Sequence, residues 1–193
     1  MMTHGIDLLN LPTGLPVPQD DGAADHLAGM AVPAMPRMAT DGSWVDLAAF
    51  TGRTVVYAYP RTGEKDAPIP PEWDAIPGAR GCTPQSCAFR DHHAELAALG
   101  ARVFGFSTQT PDYQREVAQR LGLPFAILSD ADLALTQAMR LPTFEFNGMT
   151  LTKRLTLVIR DGVVEHVFYP VFPPDRNASE VLAWLREHPA EEQ

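Results

Sequence analysis

Apolar positions along the chain fall into two rhythms. Nearly unbroken apolar runs alternate with segments whose apolar residues recur three or four apart, the signatures of buried strands and of one-sided helices. Residues 54–60 (TVVYAYP) are β-branched and aromatic and carry no charge, the composition of a strand buried on both faces and ended by Pro60. Residues 101–108 (ARVFGFST) and 125–130 (FAILSD) read as two further strands. Between them, Thr110 and Pro111 give the cap-plus-proline start of a helix that Gly122 ends, and a short helix follows around residues 132–139. An earlier helix is predicted to start with Thr83 as N-cap and Pro84 in the first position, to run through Phe89, Leu96 and Leu99, and to end at Gly100. Residues 154–171 read as two strands joined by Asp161-Gly162, a strong hairpin signal. Residues 177–188 read as a closing amphipathic helix capped by Asn177 or Ser179.

The remaining segments lack either rhythm. Residues 1–36 are rich in Pro, Gly and Asp and are expected to be an extended lead-in. Asp41-Gly42 followed by an apolar run suggests the end of a small hairpin. Residues 61–80 hold four prolines and are expected to be a long loop without helix or strand, a kind of segment that is usually functional or mobile inside a compact domain. The order predicts an α/β layer architecture: parallel strands joined by crossover helices, with an antiparallel hairpin at one side of the sheet. The expected organisation is one domain over 37–188, interrupted by a proline-rich insertion at 61–80, with 189–193 as a tail.

Composition supports one globular domain. The chain has 193 residues, 45% apolar and 20% charged, enough for one core and too short for two comfortable ones. Its net charge of −9 argues against a nucleic-acid partner, because a phosphate backbone wants a basic face. No apolar stretch is long enough for a membrane span. The start, MMTHGIDLLN, has no basic region followed by an apolar core, so it does not read as a secretory signal. The expected location is the cytoplasm, where thiols stay reduced.

That setting gives weight to the two cysteines, Cys82 and Cys87, in GARGCTPQSCAFRD. Cys82 is expected just before the first helical turn, where unpaired backbone N–H groups and the positive end of the helix dipole favour a thiolate. Arg80 can add positive charge. In an intact helix, residues five apart have Cα atoms about 8–9 Å from each other, beyond the limit of about 7 Å for a disulfide. Bonding between them therefore requires the first turns to unwind. Cys87, beside Ala88 and Phe89, also reads as a small buried hydrophobe. A metal site from Cys82, Cys87, His92 and His93 is disfavoured, since ligands at these offsets cannot converge from one helix. His92 and His93 read as solvated helix residues.

The stretches GCTPQSCAFRD, FGFSTQ, FAILSD and RLTLVIRDGVVEHVF, in this order and preceded by YAYP, resemble the peroxiredoxins. They are most similar to the Q-type, or bacterioferritin-comigratory, group, over residues 38–187. The resemblance implies a thioredoxin-like fold, a three-layer sandwich with a central mixed sheet flanked by helices. It implies reduction of hydrogen peroxide and organic hydroperoxides without metal, haem, flavin or other cofactor. By position, Cys82 matches the peroxidatic cysteine, which becomes a sulfenic acid. Cys87 matches the resolving cysteine that condenses with it to an intrachain disulfide, reduced in turn by thioredoxin or a glutaredoxin-like dithiol. Arg154 matches the arginine facing the peroxidatic sulfur; without the resemblance it reads as a surface residue at a strand edge. Either a monomer or a homodimer is compatible with the family.

One departure stands out. The family pattern places a proline, then a Thr or Ser, at short fixed distances before the cysteine, with the hydroxyl residue three positions before it. Here Ala79 occupies that position, and Pro60 and Thr62 stand at the upstream end of the proline-rich segment. Thr62 is expected to fold back beside Cys82, or its role is absent or taken by a backbone group. Pro60 also reads simply as a strand terminator. Ile69, Trp73 and Ile76 give the insertion apolar anchors, so it either packs over the site and restricts large hydroperoxides or is an inert surface loop. Two other functions remain open: a thiol–disulfide oxidoreductase, which normally uses C-x-x-C, and a non-catalytic thioredoxin-like binding module.

Overall fold

Val55 and Tyr57 pack into one apolar cluster and Val56 and Ala58 into another. This alternation is the period-two geometry of a strand with a hydrophobic layer on each face. The strand is β3 (Arg53–Ala58), every residue of which is buried. The computed structural model describes residues 8–190. β3 pairs in parallel with β4 (Ala101–Ser107), which pairs in parallel with β5 (Ile127–Ser129). A small hairpin of β1 (Arg37–Ala39) and β2 (Trp44–Val45) extends the sheet beyond β5. On the other side, β8 (Leu155–Arg160) runs antiparallel to β3 and is followed by β9 (Val163–Phe168). The seven strands therefore lie in the order β2-β1-β5-β4-β3-β8-β9.

Helices α2 (Cys82–Asp91), α3 (His93–Ala98), α4 (Pro111–Leu121) and α6 (Asn177–Glu187) contribute apolar residues to the cluster of Val55 and Tyr57. The opposite face is covered by α5 (Ala134–Met139) and by residues of the amino-terminal segment. The result is a three-layer α/β architecture with a mixed central sheet.

Several details differ from the sequence reading. The expected lead-in, as far as residues 8–36 describe it, has little regular structure but is integral to the fold: Ala24, Leu27 and Val32 are buried in a core cluster. Residues 1–7 of that segment, and 191–193 of the tail, lie outside the described residues. The insertion contains one helical turn, α1 (Pro71–Asp74), started by Pro71 at its first position and centred on buried Trp73; its dense prolines masked this turn. The helix expected to run to Gly100 is divided at His92, whose φ −95° and ψ 4° separate α2 from α3. Thr83 is not a cap. Gly81 holds that place at φ 107°, and Cys82 is the first residue of α2. Neither Asn177 nor Ser179 caps α6 through its side chain; Ser179 Oγ donates instead to Arg176 O. A third hairpin, β6 (Thr143–Phe146) and β7 (Met149–Thr152), escaped the pattern reading. Its turn is Asn147-Gly148, both at positive φ, as a two-residue hairpin loop requires.

Candidate active site

The pairing of β3 with β8 decides where the chemistry lies. Ala58 at the end of β3 faces Leu155 at the start of β8. Antiparallel pairing thus brings Arg154 beside the carboxyl ends of the parallel strands, where α2 begins. Ligands of open α/β sheets gather at such ends.

Arg154 is buried, contrary to its reading as a surface strand-edge residue without the resemblance. Its Nη2 donates to Cys82 Sγ at 3.3 Å, to Ala79 O at 3.0 Å and to Arg80 O at 3.3 Å, and its Nε donates to Gly78 O at 3.2 Å. Its Nη1 donates to Gln85 Oε1, one turn into α2. Gln85 Nε2 donates to Asn177 Oδ1, which also accepts from Thr156 Oγ1. Gln85, Asn177 and Thr156 are all fully buried. The guanidinium is thus tied to the cysteine, to the loop before it and, through two amides, to α6 and β8. A buried cation needs such saturation of its donors. Sequence reading missed Gln85 and Asn177; a glutamine three residues after the cysteine, on the turn that faces inward, was the available signal.

Cys82 and Cys87 are both free thiols and both buried. Cys82 Sγ also lies 3.7 Å from Ala79 O. Burial pushes the Cys87 thiol up from its ordinary range, an effect only partly opposed by the charge of Arg90. The unbroken hydrogen-bonded helix between them keeps the two sulfurs apart, as the spacing implied. Arg80, expected to add charge beside Cys82, pairs with Asp74 at 2.7 Å. It braces α1 of the insertion, although it also borders the cavity at Cys82.

That cavity has a volume of about 230 Å³. Cys82 and Thr62 both line it, with Ile69, Pro70 and Trp73 of the insertion and Phe146 of β6 as apolar wall. Trp73 packs edge-on to Phe146 at 4.9 Å and forms a separate apolar cluster with Leu151 and Ala79. The insertion therefore forms a wall of the cavity. Thr62 is almost fully buried and does fold back to the cavity of Cys82 across the insertion. Pro60 is buried too, but borders a different cavity with Arg154, Gly78 and Tyr169. His92 bonds Glu95 at 2.8 Å and His93 lies against the ring of Phe125.

Three comparisons agree with this geometry. Residues 27–183 match the redoxin family. The chain is 34% identical over 166 residues to peroxiredoxin Bcp of Escherichia coli, covering 83% of this chain and 96% of that one. It is 31% identical over 186 residues to the chloroplastic peroxiredoxin Q of Gentiana triflora, covering 93% of this chain and 78% of that one. The crystal structure of peroxidoxin BcpB from Mycobacterium tuberculosis superposes with a TM-score of 0.67 at 28% identity, covering 84% of this chain and 98% of that one. The seven-stranded mixed sheet is accordingly a thioredoxin-like fold. No described helix is long and apolar enough to cross a membrane. With the cysteine helix, the buried arginine and these matches in hand, the chain belongs to the redoxin family and, within it, to the Q-type peroxiredoxins, which are thiol-dependent peroxidases.

Proposed function

We propose that Cys82 is the peroxidatic residue of this peroxidase, Arg154 its electrostatic partner and Cys87 its resolving thiol. The observation that carries the assignment is the 3.3 Å contact from Arg154 Nη2 to Cys82 Sγ beside an open cavity. A guanidinium there supplies donors to charge developing on the sulfur and the peroxide oxygens. The thiolate attacks the terminal oxygen of ROOH, the O–O bond breaks, and RO⁻ leaves and takes a proton from solvent. Cys82 is left as a sulfenic acid. Thr62 supports this step by offering its hydroxyl oxygen to the peroxide proton, and Pro60, which shares a second cavity with Arg154, shapes the surroundings of the arginine.

Resolution requires the first turns of α2 to open. Cys87 sulfur then attacks Cys82 sulfur, water leaves, and an intrachain disulfide forms. The raised Cys87 thiol suits this order, since it stays protonated and unreactive while the helix is closed. A dithiol protein such as thioredoxin or a glutaredoxin returns two electrons and two protons by exchange.

The cavity of about 230 Å³ exceeds the roughly 150 Å³ that holds a benzene ring, so organic hydroperoxides fit as well as hydrogen peroxide. Both thiols suit a reducing compartment such as the cytoplasm. The test is consumption of one equivalent of hydrogen peroxide by the reduced protein, with mass spectrometry of the product. The reading requires a Cys82–Cys87 disulfide and complete loss of reaction in Cys82→Ser; consumption that survives Cys82→Ser refutes it.

A further inference from the structure

The hydroxyl residue of this site has lost its tether. Ala79 occupies the position three before the cysteine, and Thr62 is twenty positions away. A chain that long does not fix the placement of one end against the other. Some contact outside the insertion must do so.

We propose that Gln109 is that contact: a positioning residue that replaces the missing tether, holds Thr62 at the cavity and turns its hydroxyl into a hydrogen-bond acceptor for the peroxide. The proposal rests on the peroxidase reading of Cys82. Gln109 meets Thr62 as a second backbone strand would. Its Oε1 accepts from Thr62 N at 3.1 Å and from Thr62 Oγ1 at 3.3 Å, and its Nε2 donates to Thr62 O at 3.3 Å. Tyr113 OH donates to the same carbonyl at 2.9 Å. The next residue is held as well, since Gly63 O accepts from Arg120 Nη2 at 3.3 Å.

Gln109 can impose a position because it is itself fixed to the sheet. Its N–H donates to Ser107 Oγ, and its carbonyl accepts from Ser129 Oγ at 2.6 Å. Ser107 ends β4 and Ser129 ends β5. The line of support runs from two strand ends through Gln109 to Thr62, bypassing the insertion. A hydroxyl has one proton and two acceptor lone pairs. With that proton given to Gln109, the oxygen is left to accept the O–H of a peroxide. Removing Gln109 leaves Thr62 free to rotate and its proton uncommitted.

The test is a double-mutant cycle on the second-order rate of Cys82 with hydrogen peroxide. Thr62→Val and Gln109→Leu are each expected to slow the reaction about tenfold or more, the scale that follows a misplaced group. The double variant is expected to stay within about threefold of the slower single one, because both changes remove the same interaction. Thr62→Ser, which keeps the hydroxyl, is expected to restore most of the rate in the Gln109 background and not in Gln109→Leu. Gln109→Met serves as a second apolar variant should Gln109→Leu fold poorly, with thermal melting as the control. Unchanged rates in both Gln109 variants overturn the proposal, as does a double variant slowed by the product of the two single effects. A wild-type protein that leaves hydrogen peroxide intact overturns the peroxidase reading, and this proposal with it, and is seen before any variant is made.

Discussion

Arg154 Nη2 contacts Cys82 Sγ and the carbonyls of Ala79 and Arg80 at the same time, at 3.3, 3.0 and 3.3 Å. One guanidinium nitrogen thus sets the sulfur against the loop that leads into its helix. Lysine keeps the charge but not the planar fork. Arg154→Lys is expected to lower the second-order rate with hydrogen peroxide about 100-fold, the scale for losing one oriented donor to a developing charge. Stopped-flow tryptophan fluorescence reads this directly; a loss below threefold removes Arg154 from the transition state.

The cysteines are expected to separate into two kinetic roles. Cys87→Ser should consume one equivalent of peroxide and stop, leaving a sulfenic acid on Cys82 that a dimedone label traps. With reductant present, the wild-type protein should turn over repeatedly. Repeated turnover by Cys87→Ser with thioredoxin would assign resolution to another thiol.

Gly81 is predicted to be intolerant of any side chain. At φ 107°, an added Cβ would stand 2.8 Å from Leu11 Cδ2 and 2.8 Å from Pro174 Cγ. Gly81→Ala is expected to cost about 1–3 kcal/mol, the range for a strained backbone position, and to slow the peroxide reaction by shifting the first turn of α2. Urea unfolding at fixed pH measures the first effect; an unchanged midpoint contradicts it.

The insertion wall should control selectivity. Ile69→Trp narrows the cavity that Trp73 and Phe146 enclose, and is expected to lower the rate ratio of cumene hydroperoxide to hydrogen peroxide about tenfold, within the range one hydrophobic-pocket change commands. Parallel stopped-flow measurements with the two peroxides decide the matter; a constant ratio assigns the wall no part in selectivity.

Stability should fall on the acid side through His166. Its ring stacks on Trp184 at 4.6 Å, Trp184 stacks on His188 at 4.4 Å, and the Arg53 guanidinium lies 5.4 Å from the Trp184 ring. Burial, and then the neighbouring His188, lower the His166 value, against the opposing charge of Glu165. The unfolded chain therefore takes up a proton first. Stability from this residue is complete above about pH 6.5, the ordinary histidine value, and declines as pH drops through that point. His166→Phe should flatten the decline of the urea midpoint between pH 7 and 5; an identical slope would exclude the residue.

Much of the fold was legible because it follows from local chemistry. β3 announced itself by an uncharged β-branched run, and α4 by Thr110 before Pro111: Thr110 Oγ1 does accept from Tyr113 N, and Gly122 does adopt the left-handed conformation at φ 61°. Asp161-Gly162 marked the β8–β9 turn, and both residues have positive φ. The cysteine pair stood out by its place on a helix start, and Cys82 is the first residue of α2. What stayed hidden depends on contacts distant in sequence. Nothing near Arg154 shows that β8 will start beside the end of β3, and nothing near Gln109 shows that it will face Thr62. Asn177 looked like a cap because asparagine usually is one; tertiary contact with Gln85 and Thr156 claimed it instead.

The interruption at His92 makes the cysteine helix a separate body. α2 is ten residues long, and Phe89 near its far end is clamped face to face on Tyr57 at 4.4 Å. Unwinding that starts at Cys82 therefore meets a fixed stop soon after Cys87, and α3, packed independently on β4, is not drawn into it. In the proposed resolution step, the fold thus confines the movement to the short stretch between the two sulfurs and leaves the sheet as a stationary frame.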